Sequence, residues 1–316
     1  MPDTQDDMEQ LHEHAYASMD RGDLAGAARD FGTLLLHQPE NRSYHYMAGL
    51  AHKYRLDWPA SLEHNLRAIA LDGAFDEAHH WNAAIAATAL GRWSKVRELW
   101  AACGIAIPPG DGPIASDFGI AVVRLAPWGH GETVFARRID PVRARLLNVP
   151  LPESGHRFGD IVLHDGASTG SRFDGDHEVH VFNGLERLVP SPFQTFVVFV
   201  HAGSKSDIDA LLRAEGDGIG YSEDWTHSIR SYCLRCSYGA PHRHADDDGN
   251  DWQSQRNLGI AALDRHAVDT LLGNWAADHP GRHVEAVEVR ECPVPAREDG
   301  RAWWLSPDLE DELVSD

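Results

Sequence analysis

Basic residues are scarce in this chain. Its 316 residues include 28 Lys and Arg against 49 Asp and Glu, a formal net charge of −21. Phosphate backbones and anionic lipid surfaces are held by clustered cations, so the balance argues against direct nucleic-acid or membrane-surface binding. Long apolar runs are missing as well: no stretch of about 18 apolar residues occurs. The opening MPDTQDDMEQ is acidic where an export leader is basic. A cytoplasmic protein is expected. Cysteine is rare, with 4 residues, two of them in Cys233-x-x-Cys236. That usage suits a reducing compartment better than a disulfide framework. There is no P-loop, no G-x-G-x-x-G and no HExxH. What is present is ordinary for a folded protein, 42% hydrophobic and 24% charged residues, at a length that fits about two domains.

The clearest internal signal is a repeat. Three segments align at a period of 34 to 35 residues. Ala15, Gly49 and Ala84 take a small position. Gly22-Asp23, Leu56-Asp57 and Gly91-Arg92 take the turn. Ala27, Ser61 and Val96 follow, then Phe31, Asn65 and Trp100, and the segments close near Pro39, Gly73 and Pro108. Small residues let paired helices approach, and a bulky residue fills the next groove. Asp57 and Pro59 suit a helix start. Residues 6–108 resemble the tetratricopeptide repeat (TPR) family, so the first domain, 1–108, is expected to be three antiparallel helical hairpins. The second repeat departs from the family pattern, with no closing proline and with Asn65 where an aromatic is usual.

Pro108 to Pro113 (PPGDGP) breaks regular structure and sets the boundary of an α+β domain over 109–316. Short strands are predicted over 118–125, 133–139, 142–149 and 160–164. An exposed Gly-, Ser- and Asp-rich loop follows over 166–178, then strands over 179–182 and 185–189. Together these make 115–190 strand-rich. From 191 to 292 the order strand, helix, strand, strand, helix, strand is that of a ferredoxin-like sandwich. Its strands are placed at 194–201, 228–234, 257–263 and 283–289. One helix runs over 207–214 behind a Ser206 cap, and another runs from Asp264 to Asp278. Residues 293–316 read as an acidic tail, with Trp303-Trp304 docking part of it. The fold class is therefore α + (α+β).

Few residue patterns carry chemistry. Cys233 and Cys236, followed by His242 and His244, supply two thiols on a tight turn and two imidazoles facing one way on an extended segment. Such a set fits a structural zinc ion. The alternative is a reduced pair beside two solvated histidines. Gly166-Ala-Ser168-Thr-Gly170 fits G-x-S-x-G, but no helix follows the serine to build an oxyanion hole, so a glycine-rich turn is the better reading. Asp246 to Asp251 lacks the glycine and the bidentate glutamate of a calcium loop. His164-Asp165 lacks the further histidines of a metal phosphohydrolase. The eight histidines of the repeat region are expected on solvated helix faces.

The TPR resemblance implies a concave groove that binds a protein or peptide. Carried over one by one, its lining is His12, Tyr16 and Met19, then Tyr46, Leu50 and Lys53, then Trp81, Ile85 and Thr88. Of the Lys, Asn and Arg that some repeats use to clamp a peptide's terminal carboxylate, only Lys53 and Asn82 are on hand. Three repeats without a polar capping helix also imply that the second domain packs on the array. Residues 1–107 carry 9 basic and 15 acidic groups, and the remainder 19 and 34, which favours a basic partner. The expected function is a non-enzymatic interaction protein, in one version a bacterial immunity protein that neutralises a basic toxin. The alternative is a hydrolase-like or metal-dependent enzyme in the C-terminal domain, with the repeats recruiting its substrate.

Overall fold

Three helical hairpins begin the chain. In this computed structural model, which describes residues 5–129, 131–173, 175–228, 252–297 and 300–305, they are α1 (Gln5–Arg21) with α2 (Leu24–His37), α3 (Arg42–Tyr54) with α4 (Trp58–Leu71), and α5 (Glu77–Ala89) with α6 (Trp93–Ala102). Acidic or amide caps start four of them: Asp23, Asn41, Asp57 and Asp76 accept from backbone N–H groups of the first turn. The turn positions share one conformation. Gly22, Leu56 and Gly91 have φ of +79°, +57° and +65°. Left-handed backbone there closes the preceding helix, at no steric cost for glycine and about 1 kcal/mol for leucine. The small positions work as the pattern requires: a Cβ on Gly49 would lie 2.5 Å from the Asn65 amide. Asn65, in place of an aromatic, is fully buried and donates to the Ser61 carbonyl.

Among the described residues no helix or strand intervenes between Ala102 and Ile120. A closed five-stranded barrel then forms from β1 (Ile120–Leu125), β2 (Glu132–Arg138), β3 (Arg143–Leu146), β4 (Ile161–Phe173) and β5 (Glu178–Val189), in sequence order. Neighbours are antiparallel, and a parallel β1–β5 pairing centred on Val123 and Phe182 closes the ring. Val123, Leu125, Val134, Ala136, Ala144, Leu146 and Val162 form one buried barrel cluster. The loop expected over 166–178 is instead the far end of β4 and the start of β5. Ser168 to Phe173 pair with Phe182 to Glu178 across several register shifts. Glycine and serine weaken a strand alone, but a paired neighbour and bulges accommodate them. Ser168 therefore sits within a strand, and its hydroxyl donates to the Gly170 carbonyl.

The last layer is a four-stranded antiparallel sheet in the order β7–β8–β6–β9. Its strands are β6 (Gln194–His201), β7 (Ile219–Asp224), β8 (Gln255–Ala262) and β9 (His283–Val289). Among the described residues its helices are α7 (Lys205–Leu212), the single turn α8 (Trp225–Ser228) and α9 (Arg265–Ala277). Alternation decides the faces. Phe196, Val198 and Val200 bury against Ile208, Leu211, Val268, Leu272 and Trp275 of α7 and α9. Val197 faces Val149 and Trp225 on the other side. The strand expected over 228–234 lies outside the described residues apart from Ser228, which ends α8. β7 (Ile219–Asp224) is a further strand not expected from the sequence. The expected cap of α7 is corrected. Ser204 rather than Ser206 takes the N-cap position of α7, without a side-chain cap hydrogen bond; its hydroxyl donates to the Asp207 carboxylate.

The helical array and barrel share one apolar core. Phe31, Ile85 and Trp100 belong to the same buried cluster as Trp128, Leu163, Leu185 and Trp303. Beyond β9 the chain runs back across both. Trp128 donates to the Pro295 carbonyl, and Arg297 to the carbonyls of Tyr54 and Arg55. Trp303 is 2% exposed, and Trp304 stacks on Tyr54 at 4.4 Å.

Candidate functional site

The inner face of the array is built by α3 and α5, and the side chains there point at the barrel. Lys53, one of three lysines in the sequence, is 2% exposed. Its ammonium donates to Asp165 Oδ1 at 2.8 Å and to Asn82 Oδ1 at 2.9 Å, and lies 4.5 Å over the Tyr54 ring. Asp165 belongs to β4, and the same oxygen takes the Gly166 N–H at 2.7 Å. Tyr54 donates to this carboxylate too; burial first, then the adjacent negative charge, pushes its phenol well above the usual value. Tyr46 bonds Asn82, and its phenol is raised by burial. A buried ammonium and carboxylate with every donor directed is the arrangement that makes such a pair tolerable.

Flanking contacts extend the clasp along the strand. Trp81 lies so close to Gly166 that a Cβ there would be 2.6 Å from the indole. Its Nε1 donates to Glu77, and its ring meets Trp100 edge-on at 4.7 Å. On the other side Trp58 Nε1 donates to Glu186 of β5 at 2.6 Å. The groove-lining set thus divides. Met19, Ile85 and Thr88 are buried, and Leu50 packs against the core. Lys53 and Trp81 are committed to β4. Tyr16 stays half-buried, edge-on to Phe31, beside His12, which meets the Tyr44 hydroxyl at 3.1 Å.

Sequence reading did not find the partners of Lys53. Along the chain His164-Asp165 reads only as an incomplete metal pair; in the fold His164 is fully buried, stacked on Phe182, and burial lowers its pKa to about 4. Several repeat-region histidines depart from the solvated faces expected for them, while His14 and His37 are exposed. His79 is buried against Asp72 at 2.7 Å. His45, His52 and His64 form a cluster between α3 and α4, with His45 and His64 Nδ1 atoms 3.0 Å apart. Burial, then the two neighbouring imidazoles, brings His64 down to about 4. Helix packing at the i, i+7 spacing of 45 and 52 placed these rings inward. Cys233, Cys236, His242 and His244 lie outside the described residues. Among the described residues no group of three or more His, Cys, Asp or Glu is placed to hold a metal ion.

At the other end of the barrel, a carboxylate pair ties it to the sheet. Glu132 of β2 accepts the Leu151 N–H at 3.0 Å. Glu223 of β7 accepts the Val149 N–H at 2.9 Å and the Asn148 amide at 3.1 Å. Burial foremost, with Glu223 and Glu153 adding repulsion, raises Glu132 to about 8. Glu132 is therefore largely a neutral acid at pH 7.

No family model and no curated protein matches the chain. Solved structures similar over its N-terminal third include the TPR2B domain of yeast Sti1, described as a complex with pHsp70. That likeness has 17% identity over 30% of this chain and 75% of that one, with a TM-score of 0.28. A mutant O-GlcNAc transferase of Thermobaculum terrenum matches at 23% identity over 31% of this chain, with a TM-score of 0.28. This chain spans 19% of the transferase. The helical array of residues 5–102 is TPR-like in its own geometry.

Proposed function

We propose that this protein is a non-enzymatic interaction protein that holds a protein or peptide partner, with the repeat array fixed on the barrel as one platform. The observation that carries the reading is the clasp itself. The inner face of the array holds an extended strand by its carboxylate, through Lys53 and Asn82, with Trp81 laid against the strand backbone. That is recognition chemistry, with polar anchors beside an aromatic. Because β4 of the same chain takes the middle of the face, an external partner is assigned to its amino-terminal end, at His12 and Tyr16, and to the acidic outer surface. Tyr46, Leu50 and Lys53 then act by fixing the array, while Met19 and Ile85 support it from within.

The excess of 49 acidic over 28 basic residues favours a basic partner, since complementary charge speeds encounter and screens out wrong partners. A bacterial toxin-neutralising role is the specific version this charge suits. The strand order β9–β6–β8–β7, with α7 and α9 on one face, supports reading 191–292 as a ferredoxin-like sandwich. We also propose structural zinc at Cys233, Cys236, His242 and His244, to be tested by metal content with and without Cys233→Ser.

Affinity capture from the native host, followed by mass spectrometry, tests the main reading. A stoichiometric basic protein is expected, with association slowing steeply as salt shortens the screening length to about 8 Å. Tyr16→Ala should weaken it. Turnover by the purified protein with no captured partner would overturn the proposal.

A further inference from the structure

A cavity of about 270 Å³ lies where the barrel meets the four-stranded sheet. Its walls come from three separate parts of the chain. The 3-10 turn Pro152–Ser154 leads to His156 and Arg157, β5 brings Arg187, and β6 with the segment after β9 brings Thr195, Arg290 and Cys292. Three guanidinium groups converging on one cavity is unexpected in a chain of net charge −21. Guanidinium forks match the geometry of phosphate oxygens.

The site is built rather than incidental. Asp160, fully buried, accepts the Arg157 N–H at 2.9 Å and the Ser191 N–H at 2.6 Å, and lies 3.5 Å from Arg187. One carboxylate thus ties the backbone of Arg157, which lines the cavity, to that of Ser191 between β5 and β6. Arg187 also donates to the Gly155 carbonyl at 2.6 Å. Gly155, at φ +70°, lets the segment after β9 approach: a Cβ there would be 2.3 Å from the Val294 nitrogen. The second observation is Thr195. It is 3% exposed and lines the cavity, yet its hydroxyl has no hydrogen-bond partner. Buried hydroxyls are rarely left so, and a ligand oxygen would complete this one.

Two acids sit on the arginines now. Arg157 pairs with Glu291 at 2.8 Å, and Arg290 with Glu288 at 2.7 Å. Both carboxylates are about half exposed, at 50% and 47%. Exposed pairs of this kind contribute little, so a dianion can take their place while the acids turn to water. We propose that this cavity binds a small phosphorylated ligand, with Arg157, Arg187 and Arg290 on the phosphate oxygens and Thr195 donating to one of them. A single carboxylate would leave most of these donors unused, which is why phosphate is the class assigned.

The test uses the full chain. Inorganic phosphate and glycerol phosphate are titrated calorimetrically at ionic strength held constant with chloride, with succinate as the carboxylate arm. Saturable binding of the phosphates, about tenfold or more tighter than succinate, is expected. Arg157→Gln, at a partly buried side chain, and Arg290→Gln, at an exposed one, should each weaken it about tenfold with unchanged circular dichroism. Thr195→Val should weaken binding while leaving or raising Tm, which a merely structural threonine would not do. Phosphate should also slow alkylation of Cys292, read by mass spectrometry of its peptide. Phosphate binding no tighter than chloride or succinate, or binding untouched by both arginine substitutions, would overturn the proposal.

Discussion

Removing the Lys53 charge is the most direct test of the contact between the array and the barrel. Lys53 and Asp165 are 2.8 Å apart and 3% and 5% exposed at their side chains, so each is compensated chiefly by the other. In Lys53→Met the Asp165 carboxylate keeps the Gly166 N–H and the Tyr54 hydroxyl but loses its counter-charge. In Asp165→Asn the amide can still accept from Lys53, which is left as a buried cation. Breaking one half of such a pair costs about 3–5 kcal/mol, whereas removing both charges is often close to neutral. The double variant should therefore cost less than either single one, giving a coupling larger than one single-variant loss, about 3 kcal/mol or more. Urea denaturation read by tryptophan fluorescence measures it well, because Trp58 and Trp81 both lie at this contact. The pair Lys95–Glu98, with side chains 35% and 66% exposed, is the control and should give less than about 0.5 kcal/mol. Single variants that each cost under about 1 kcal/mol and simply add would refute the argument.

Other outcomes follow from the same geometry. Glu132, raised to about 8, binds its proton more tightly folded than unfolded. Its contribution is therefore present at low pH and is lost as pH rises from about 4.5 through 8. Glu132→Gln should stabilise the protein at pH 7–8 by up to roughly 3 kcal/mol and do little at pH 4, as measured by denaturation across pH. His164, lowered to about 4, runs the other way: stability is present above about 6.5 and lost as pH falls through 4, and His164→Gln should flatten that limb of the stability profile. Gly22→Ala and Gly91→Ala share the strain of a positive φ, but only Gly22 would place its Cβ 2.3 Å from the Arg301 backbone. It should cost at least about 1 kcal/mol more and undock Trp303, visible as a red-shifted emission. Zinc analysis of protein purified without a histidine tag should find about one equivalent, and Cys233→Ser should lower both metal content and Tm.

Much of the helical array was legible in the sequence because its determinants are local. Caps such as Asp23 and Asp57 act within one turn, the Gly22, Leu56 and Gly91 corners recur at a fixed spacing, and each hairpin packs on its sequence neighbour. β6 and β9 were equally plain, as apolar runs whose alternation needs no distant information. β7 was not, because Ile219–Asp224 carries two acids and a glycine and is a strand only through its pairing with β8. The Gly- and Ser-rich half of β4 likewise reads as a loop until β5 supplies its hydrogen bonds. Side-chain partnership was the least visible. Lys53 and Asp165 are 112 positions apart, and the cavity arginines come from residues 157, 187 and 290. Helices, corners and apolar strands depend on neighbours a few positions away and can be read along the chain. That the inner face of the array closes on a carboxylate of its own barrel emerges from the fold alone, because burial and charge pairing are properties of positions in space.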